Sequence, residues 1–334
     1  MAFDARDVER KTLSILKVLD SSPGPVGGRL IAERLKEHGV ALSERAVRYH
    51  LRLMDERGLT ELVGNQDGRV ITEKGLAEIR SALVRDKVGF AITKIELLAF
   101  RTSFDWQQRT GGVPVNVSFF ARAAFTEALR AMRPVFEAGL CVSRLAAAAS
   151  AGERIGDLIV PEGRVGLATV CSIVINGALL KAGVPMDSRF AGILQLSRRK
   201  PLRFTEVIHY NGCSLDPTEI FIKARMTSVG AAVAGGSGEI LANFREIPAM
   251  CLPLVERVLR GLEDAGIKGV LVTGNVSEPV CETAVEPNKM GLVLVGGLNP
   301  VAAAQEAGIE AENHSMSTVV DYGTLKDFGT LLAE

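Results

Sequence analysis

The stretch VGLATVCSIVINGALLKAGVPMDSRF, residues 165–190, reads as a short apolar strand, a turn at Cys171-Ser172 and a small-residue helix closed by Ala182-Gly183. Set over MGLVLVGGLNPVAAAQEAGIEAENHS, residues 290–315, it places Gly166 on Gly291 and Ala182-Gly183 on Ala307-Gly308 at a constant offset of 125. A second pair lies upstream. VNVSFFARAAFTEALRAMRPVFEAGL (115–140) aligns with ANFREIPAMCLPLVERVLRGLEDAGI (242–267) at an offset of 127, matching Asn116 with Asn243 and Ala138-Gly139 with Ala265-Gly266. Each copy reads strand, helix, turn, strand, an irregular passage, then strand, helix, turn and strand, so the chain holds an internally duplicated α/β domain. The lobes are expected at about 110–192 and 237–334, with an insertion at about 193–236. Within that insertion RFTEVIHY reads as a strand, NGCSLDP as a turn and EIFIKARMTSV as a second strand, followed by a linker around GGSG. Two related lobes meeting about a pseudo-twofold axis leave a cleft suited to a small ligand.

The 334 residues are 47% hydrophobic, with 39 basic and 39 acidic side chains, so no global field points to nucleic acid or membrane and charge is read locally. The five cysteines Cys141, Cys171, Cys213, Cys251 and Cys281 form no CxxC pair and have no histidine at metal-ligand spacing, which predicts a reduced, cytoplasmic chain with no metal. The N-terminus lacks the apolar segment of a signal peptide, and no long uncharged apolar run predicts a membrane span.

Residues 1–84 carry a different pattern. Val8, Leu13, Ile15, Leu16 and Leu19 line one face of a first helix, and Leu30, Ile31 and Leu35 point inward from a second. In LSERAVRYHLRLMDERGL, Ser43 is the N-cap of a third helix, Ala46, Val47, Leu51 and Met54 form its inner stripe, and Gly58 ends it. LTELVGNQDGRVITEKG reads as a β-hairpin with Arg69 beside its tip, followed by a helix from Glu73. Three helices and a hairpin make a winged helix-turn-helix.

Arg45, Arg48, Tyr49 and Arg52 occupy the outer face of the third helix, where guanidinium forks suit guanine edges and phosphates in a major groove; Ser43 and Arg69 complete the expected DNA-contacting set. Winged helices also dock proteins, which is the alternative for this segment. With 15 basic against 13 acidic residues in 1–85, one copy has a modest phosphate attraction, so double-stranded operator DNA calls for a homodimer.

Taken together, SERAVRYHLRLMDERGLT, GRVITEKG, ATVCSIVINGALLKAGVPMDSRF, RFTEVIHYNGCSLDP, GSGEILANFREIPA and GGLNPVAAAQEAG resemble the NrpR family of nitrogen-regulation repressors over nearly the whole chain. The resemblance implies a winged-helix operator-binding domain at 1–84 joined to a regulatory domain at 85–334 that senses 2-oxoglutarate. It also implies repression of nitrogen-assimilation genes, relieved when 2-oxoglutarate loosens the grip on DNA. Well-known members carry two regulatory domains in tandem, whereas this chain has length for one.

Three roles stay open for Cys171: nucleophile, ligand contact and packing. A nucleophile needs a base or a cation beside it, and neither His209 nor His314 is fixed there by sequence context. A strand-to-helix turn instead offers free N–H groups to a carboxylate, with Thr169, Cys171, Ser172 and Asn176 as small polar neighbours. Arg189, Arg225 and Arg245 are candidate cations for the second carboxylate of a dianion, and His209 joins the effector set. The other copy has Gly296 where this one has Cys171, so folding the unit does not demand a thiol. GGSG lacks a Walker lysine and a GxGxxG frame, and no cofactor or catalytic turnover is expected.

Overall fold

The computed structural model describes residues 5–22, 24–37, 40–63, 68–81 and 89–332. The chain divides into two compact units, Met1–Lys87 and Val88–Glu334. The expected boundary after residue 84 and the wing tip at 64–67 lie outside the described residues.

The first unit holds helices α1 (Ala5–Asp20), α2 (Gly28–Glu37) and α3 (Glu44–Glu56), an antiparallel hairpin of β1 (Thr60–Leu62) and β2 (Arg69–Ile71), and α4 (Glu73–Ser81). Its core gathers Ile15, Leu16 and Leu19 of α1, Ile31 and Leu35 of α2, and Val47, Leu51 and Met54 of α3. Leu30, expected inward, is exposed. Ile31 and Leu35 sit four apart and define the buried stripe of this short helix, and Leu30 falls about 100° off it. Ser43 caps α3, its hydroxyl accepting a hydrogen bond from the Ala46 N–H at 3.2 Å.

The second unit opens with α5 (Phe90–Arg101) and then gives the first copy as β3 (Gly112–Ala121), α6 (Phe125–Glu137) and β4 (Leu145–Ser150). A small hairpin of β5 (Arg154–Ile155) and β6 (Leu158–Ile159) fills the irregular passage before β7 (Arg164–Val170), α7 (Ile173–Lys181) and β8 (Asp187–Ser197). Then come β9 (Lys200–His209), α8 (Pro217–Lys223) and α9 (Val229–Gly235). The second copy follows as β10 (Gly238–Pro248), α10 (Leu252–Asp264), β11 (Val270–Val276), β12 (Lys289–Val295), α11 (Asn299–Glu306) and β13 (Ala311–Asp321), before β14 (Lys326–Asp327) and α12 (Phe328–Leu331). The four Ala-Gly turns close four helices alike: Gly139, Gly183, Gly266 and Gly308 have φ of 71°, 81°, 81° and 87°, the left-handed conformation that ends a helix without a Cβ clash.

Two five-stranded sheets run in the orders β13-β3-β7-β4-β14 and β11-β12-β10-β8-β9, with every neighbouring pair antiparallel. The copies are therefore not two lobes contiguous in sequence. The first copy's β8 leaves β3, β7 and β4 to pair with β10, and the second copy's β13 crosses back to pair with β3. The exchange places Phe190, Ile193, Leu194 and Leu196 of β8 in the one core that both copies share. Burying each such side chain stabilises by about 1.5–3 kcal/mol, enough to make the two copies one folding unit.

The insertion also differs from expectation. EIFIKARMTSV is not a strand: Asp216 caps a helix there by accepting from the N–H groups of Thr218 (2.8 Å) and Glu219 (3.3 Å), and Pro217 takes the first helical position. A helix-start signal outweighs the apolar, β-branched composition of Ile220, Phe221 and Ile222. GGSG ends α9 at left-handed Gly236 and begins β10.

Candidate functional sites: the recognition helix and the cavity between the sheets

On α3, Arg45, Arg48, Tyr49 and Arg52 are exposed on the face opposite the core. Arg48 pairs with Glu44 at 2.8 Å, Arg52 with Glu56 at 3.8 Å, and the Arg52 guanidinium lies 6.0 Å from the centre of the Tyr49 ring. Both ion pairs are solvent-exposed and worth at most about 1 kcal/mol, so phosphates can replace the carboxylates. Arg69 is placed differently from the expectation. Its side chain is only 13% exposed and its Nε donates to the Asp55 carboxylate at 2.8 Å, so the guanidinium faces the domain instead of the wing surface. A half-buried ion pair has stronger attraction than a solvated arginine, which explains the inward turn.

The second site lies where the two copies meet. Its walls come from the β7–α7 turn (Cys171, Ser172, Ile173), the equivalent β12–α11 turn (Gly297, Leu298), Asn116 of β3, Asn243 and Arg245 of β10, and Ser315 and Met316 of β13. Tyr210, Asp216 and Thr218 close it from the insertion. The aligned asparagines face one cavity, and the two turns touch, Thr169 Oγ1 donating to the Gly297 carbonyl at 3.1 Å. Gly297 is tightly packed: a Cβ there would lie 2.5 Å from Asn116 Nδ2 and 2.7 Å from the Val170 carbonyl. The cavity is about 20 Å³, enough for about one water.

The cavity is polar and charged. Arg245 is 1% exposed, its Nη1 donates to the Phe244 carbonyl at 3.4 Å, and its guanidinium carbon stands 5.0 Å from the Tyr210 ring centre. Its Nε has no hydrogen-bond partner, and among the described residues no carboxylate pairs with it. Tyr210 donates to Asn243 Oδ1 at 2.5 Å, and Asn243 Nδ2 donates to Ser172 Oγ at 3.4 Å. Burial pushes the Tyr210 phenol up to about 12. On the opposite wall β13 is bulged between His314 and Thr318, and Met316 holds a left-handed φ of 49°. Its N–H reaches Asn116 Oδ1 at 3.0 Å, while the Ser315 N–H and hydroxyl both donate to Glu219 Oε1, at 2.8 and 2.7 Å. Lys94 Nζ donates to the Ser315 carbonyl at 2.9 Å.

Desolvation by burial raises the Cys171 thiol to about 11, so at neutral pH it is the thiol and lacks the thiolate a nucleophile needs. Of the other sequence candidates, Ser172 and Arg245 line the cavity with Cys171, while Thr169 braces it from behind. Asn176 is buried within α7 and donates to Ser188 Oγ at 3.0 Å. Arg189 is engaged elsewhere, 2.9 Å from Glu286, 3.1 Å from Asp187 and 3.7 Å from Glu246. These three carboxylates converge closely enough to suggest a cation site, and Arg189 and Lys289 are the cations that stand among them. His209 is exposed at the end of β9 against Phe190, and Arg225 sits beyond α8; neither lines the cavity.

Comparison with known proteins agrees with this two-part design. The family model described as NrpR regulatory domains NRD1 and 2 matches residues 88–327, and the Ribonuclease R winged-helix domain model matches 13–79. The global nitrogen regulator NrpRI of Methanosarcina mazei is 39% identical over 320 residues, 96% of this chain and 98% of that protein. The chain belongs to the NrpR family. It is a nitrogen-related transcriptional regulator with a DNA-binding winged helix. The global nitrogen regulator NrpR of Methanocaldococcus jannaschii is 34% identical over 314 residues, 94% of this chain but 54% of that protein. A crystal structure of a nitrogen repressor-like protein from Methanococcus jannaschii superposes with a TM-score of 0.61 at 25% identity, covering 72% of this chain and 99% of that one. Among the described residues no helix is long and apolar enough to cross a membrane.

For an NrpR-type regulatory domain, the cavity residues that sequence reasoning passed over are the informative ones. Tyr210 and Asp216 come from the one stretch RFTEVIHYNGCSLDP, Ser315 comes from β13, and Lys94 reaches the Ser315 carbonyl from α5. The aligned pair Asn116 and Asn243 was a signal, two amides set in strands that are almost wholly buried.

Proposed function

We propose that this NrpR-family regulator represses nitrogen-assimilation genes as a homodimer and that 2-oxoglutarate, held in the cavity between the sheets, loosens its hold on operator DNA. Arg245 carries the reading. A guanidinium taken out of water without a carboxylate loses several kcal/mol of solvation, a cost that an incoming carboxylate offsets. One carboxylate of 2-oxoglutarate is assigned to Arg245 and the second to the Lys94 side, with the Ser172 hydroxyl and the Asn243 amide beside the 2-oxo group. Cys171 lines the same wall as a neutral, polarisable contact.

Room for about one water means that entry requires the walls to separate. The exposed residues Asn211, Gly212 and Leu215 lie on the insertion turn that closes the cavity, making it the natural door. Because the walls belong to both copies, a ligand that favours the opened form shifts the copies relative to each other. A dimer whose recognition helices must match two half-sites converts such a shift into lost affinity. A crystal structure of the full chain with 2-oxoglutarate tests the assignment: a carboxylate within hydrogen-bond distance of Arg245 is expected, and ligand density elsewhere removes it.

A further inference from the structure

Arg245 and Asp216 line one small cavity with opposite charges and do not form an ion pair with each other. Arg245 has an unfilled Nε and no carboxylate among the described residues. Asp216 has the complementary deficit. Both backbone N–H groups that it accepts, from Thr218 and Glu219, fall on Oδ1. The hydroxyl proton of Ser315, the neighbouring donor, goes to Glu219 at 2.7 Å, and a hydroxyl has only one. Asp216 is held above the ordinary carboxylate value, by burial first and then by the Glu219 charge, with Lys94 and Ser315 drawing it back only in part. The nearest cation on that wall, Lys94, is bonded to the Ser315 carbonyl.

A guanidinium without a carboxylate and a carboxylate without an ion pair, lining one cavity, fit a ligand that carries both charges. We infer that the cavity also takes an acidic α-amino acid, the 2-amino counterpart of the 2-oxo dicarboxylate, with a carboxylate on Arg245 and the ammonium group on Asp216 Oδ2. Asp216 is thereby the residue that discriminates the two ligands. It attracts the ammonium of the amino acid and repels the dianionic oxo acid, so the two compete for one site. The inference rests on the cavity being the effector site.

Calorimetric titration of the full chain with L-glutamate, 2-oxoglutarate and glutarate tests it, glutarate being the same dianion without a group at C2. L-Glutamate is expected to bind at least tenfold tighter than glutarate and to raise the apparent Kd of 2-oxoglutarate competitively. Asp216→Asn keeps a helix-capping side chain, so α8 survives the change. This variant is expected to weaken L-glutamate at least tenfold and to tighten 2-oxoglutarate. Affinities that move in the same direction for both ligands overturn the role of Asp216. If 2-oxoglutarate binds and L-glutamate does not, the inference falls while the effector site stands; if none of the three binds, both fall.

Discussion

Replacing Arg245 by methionine separates what the residue does for the ligand from what it does for the fold. The guanidinium is 1% exposed, with one long hydrogen bond to the Phe244 carbonyl and a ring face 5.0 Å away. The effective cost of burying a charge is several kcal/mol. Against it stand about 2 kcal/mol from the cation–π contact and about 1.5 kcal/mol from the hydrogen bond. The balance leaves Arg245→Met roughly 1–2 kcal/mol more stable than the parent, since methionine fills a similar volume without a charge. A regulatory domain of this size converts that into a rise of about 2–4 °C in melting temperature. The same variant loses the carboxylate anchor, so calorimetry is expected to show 2-oxoglutarate affinity reduced at least a hundredfold. A variant destabilised by more than about 2 kcal/mol refutes the claim that the charge is uncompensated. A variant that is stable but binds 2-oxoglutarate normally refutes the anchor.

Three further outcomes are expected. Gly297→Ala drives a Cβ against Asn116 Nδ2 and the Val170 carbonyl, and its unfolding midpoint is expected to report a loss of roughly 1–3 kcal/mol, as for an overpacked core; an unchanged midpoint contradicts the close packing of the two turns. Arg45→Ala is expected to weaken operator binding and lower its salt slope by about one without changing stability, whereas Arg69→Ala, losing the Asp55 pair, lowers the unfolding midpoint of the winged helix; an Arg69 variant altered only in DNA affinity reverses the assignment. Because burial holds the Cys171 proton to about pH 11, its stabilising contribution is present below the ordinary thiol value and is lost as pH rises from about 9 to 11. Cys171 alkylation in the folded protein is expected to stay slow at pH 8, and a fast reaction there shows a thiolate that the burial argument forbids.

The sequence reveals the repeating unit because the signals of each copy are local: an apolar strand, an amphipathic helix and an Ala-Gly stop. Exchange of β8 and β13 has no local signal. The composition of DSRFAGILQLS says strand, but its pairing with β10 instead of a first-copy strand is decided by contacts distant in the chain. Helix α8 shows the reverse case, in which Ile220, Phe221 and Ile222 suggested a strand and the Asp216-Pro217 start decided otherwise. Of the residues named from sequence, Cys171, Ser172 and Arg245 line the cavity, two from a strand-to-helix turn and the third offered as a counter-charge for a dianion. Arg189 looked equally suitable, yet Asp187, Glu246 and Glu286 claim it. Glu246 follows Arg245 directly, and strand alternation turns the two side chains to opposite faces. Only the folded chain shows which face meets the cavity.

The account joins a ligand in the regulatory domain to the grip of the winged helix, and fluorescence anisotropy of labelled operator DNA measures that join directly. With the parent protein at fixed salt, 2-oxoglutarate is expected to raise the apparent Kd for operator at least tenfold, while the Arg245→Met protein binds operator and does not respond. Operator affinity that is indifferent to 2-oxoglutarate in the parent, or an equal response in the variant, contradicts it.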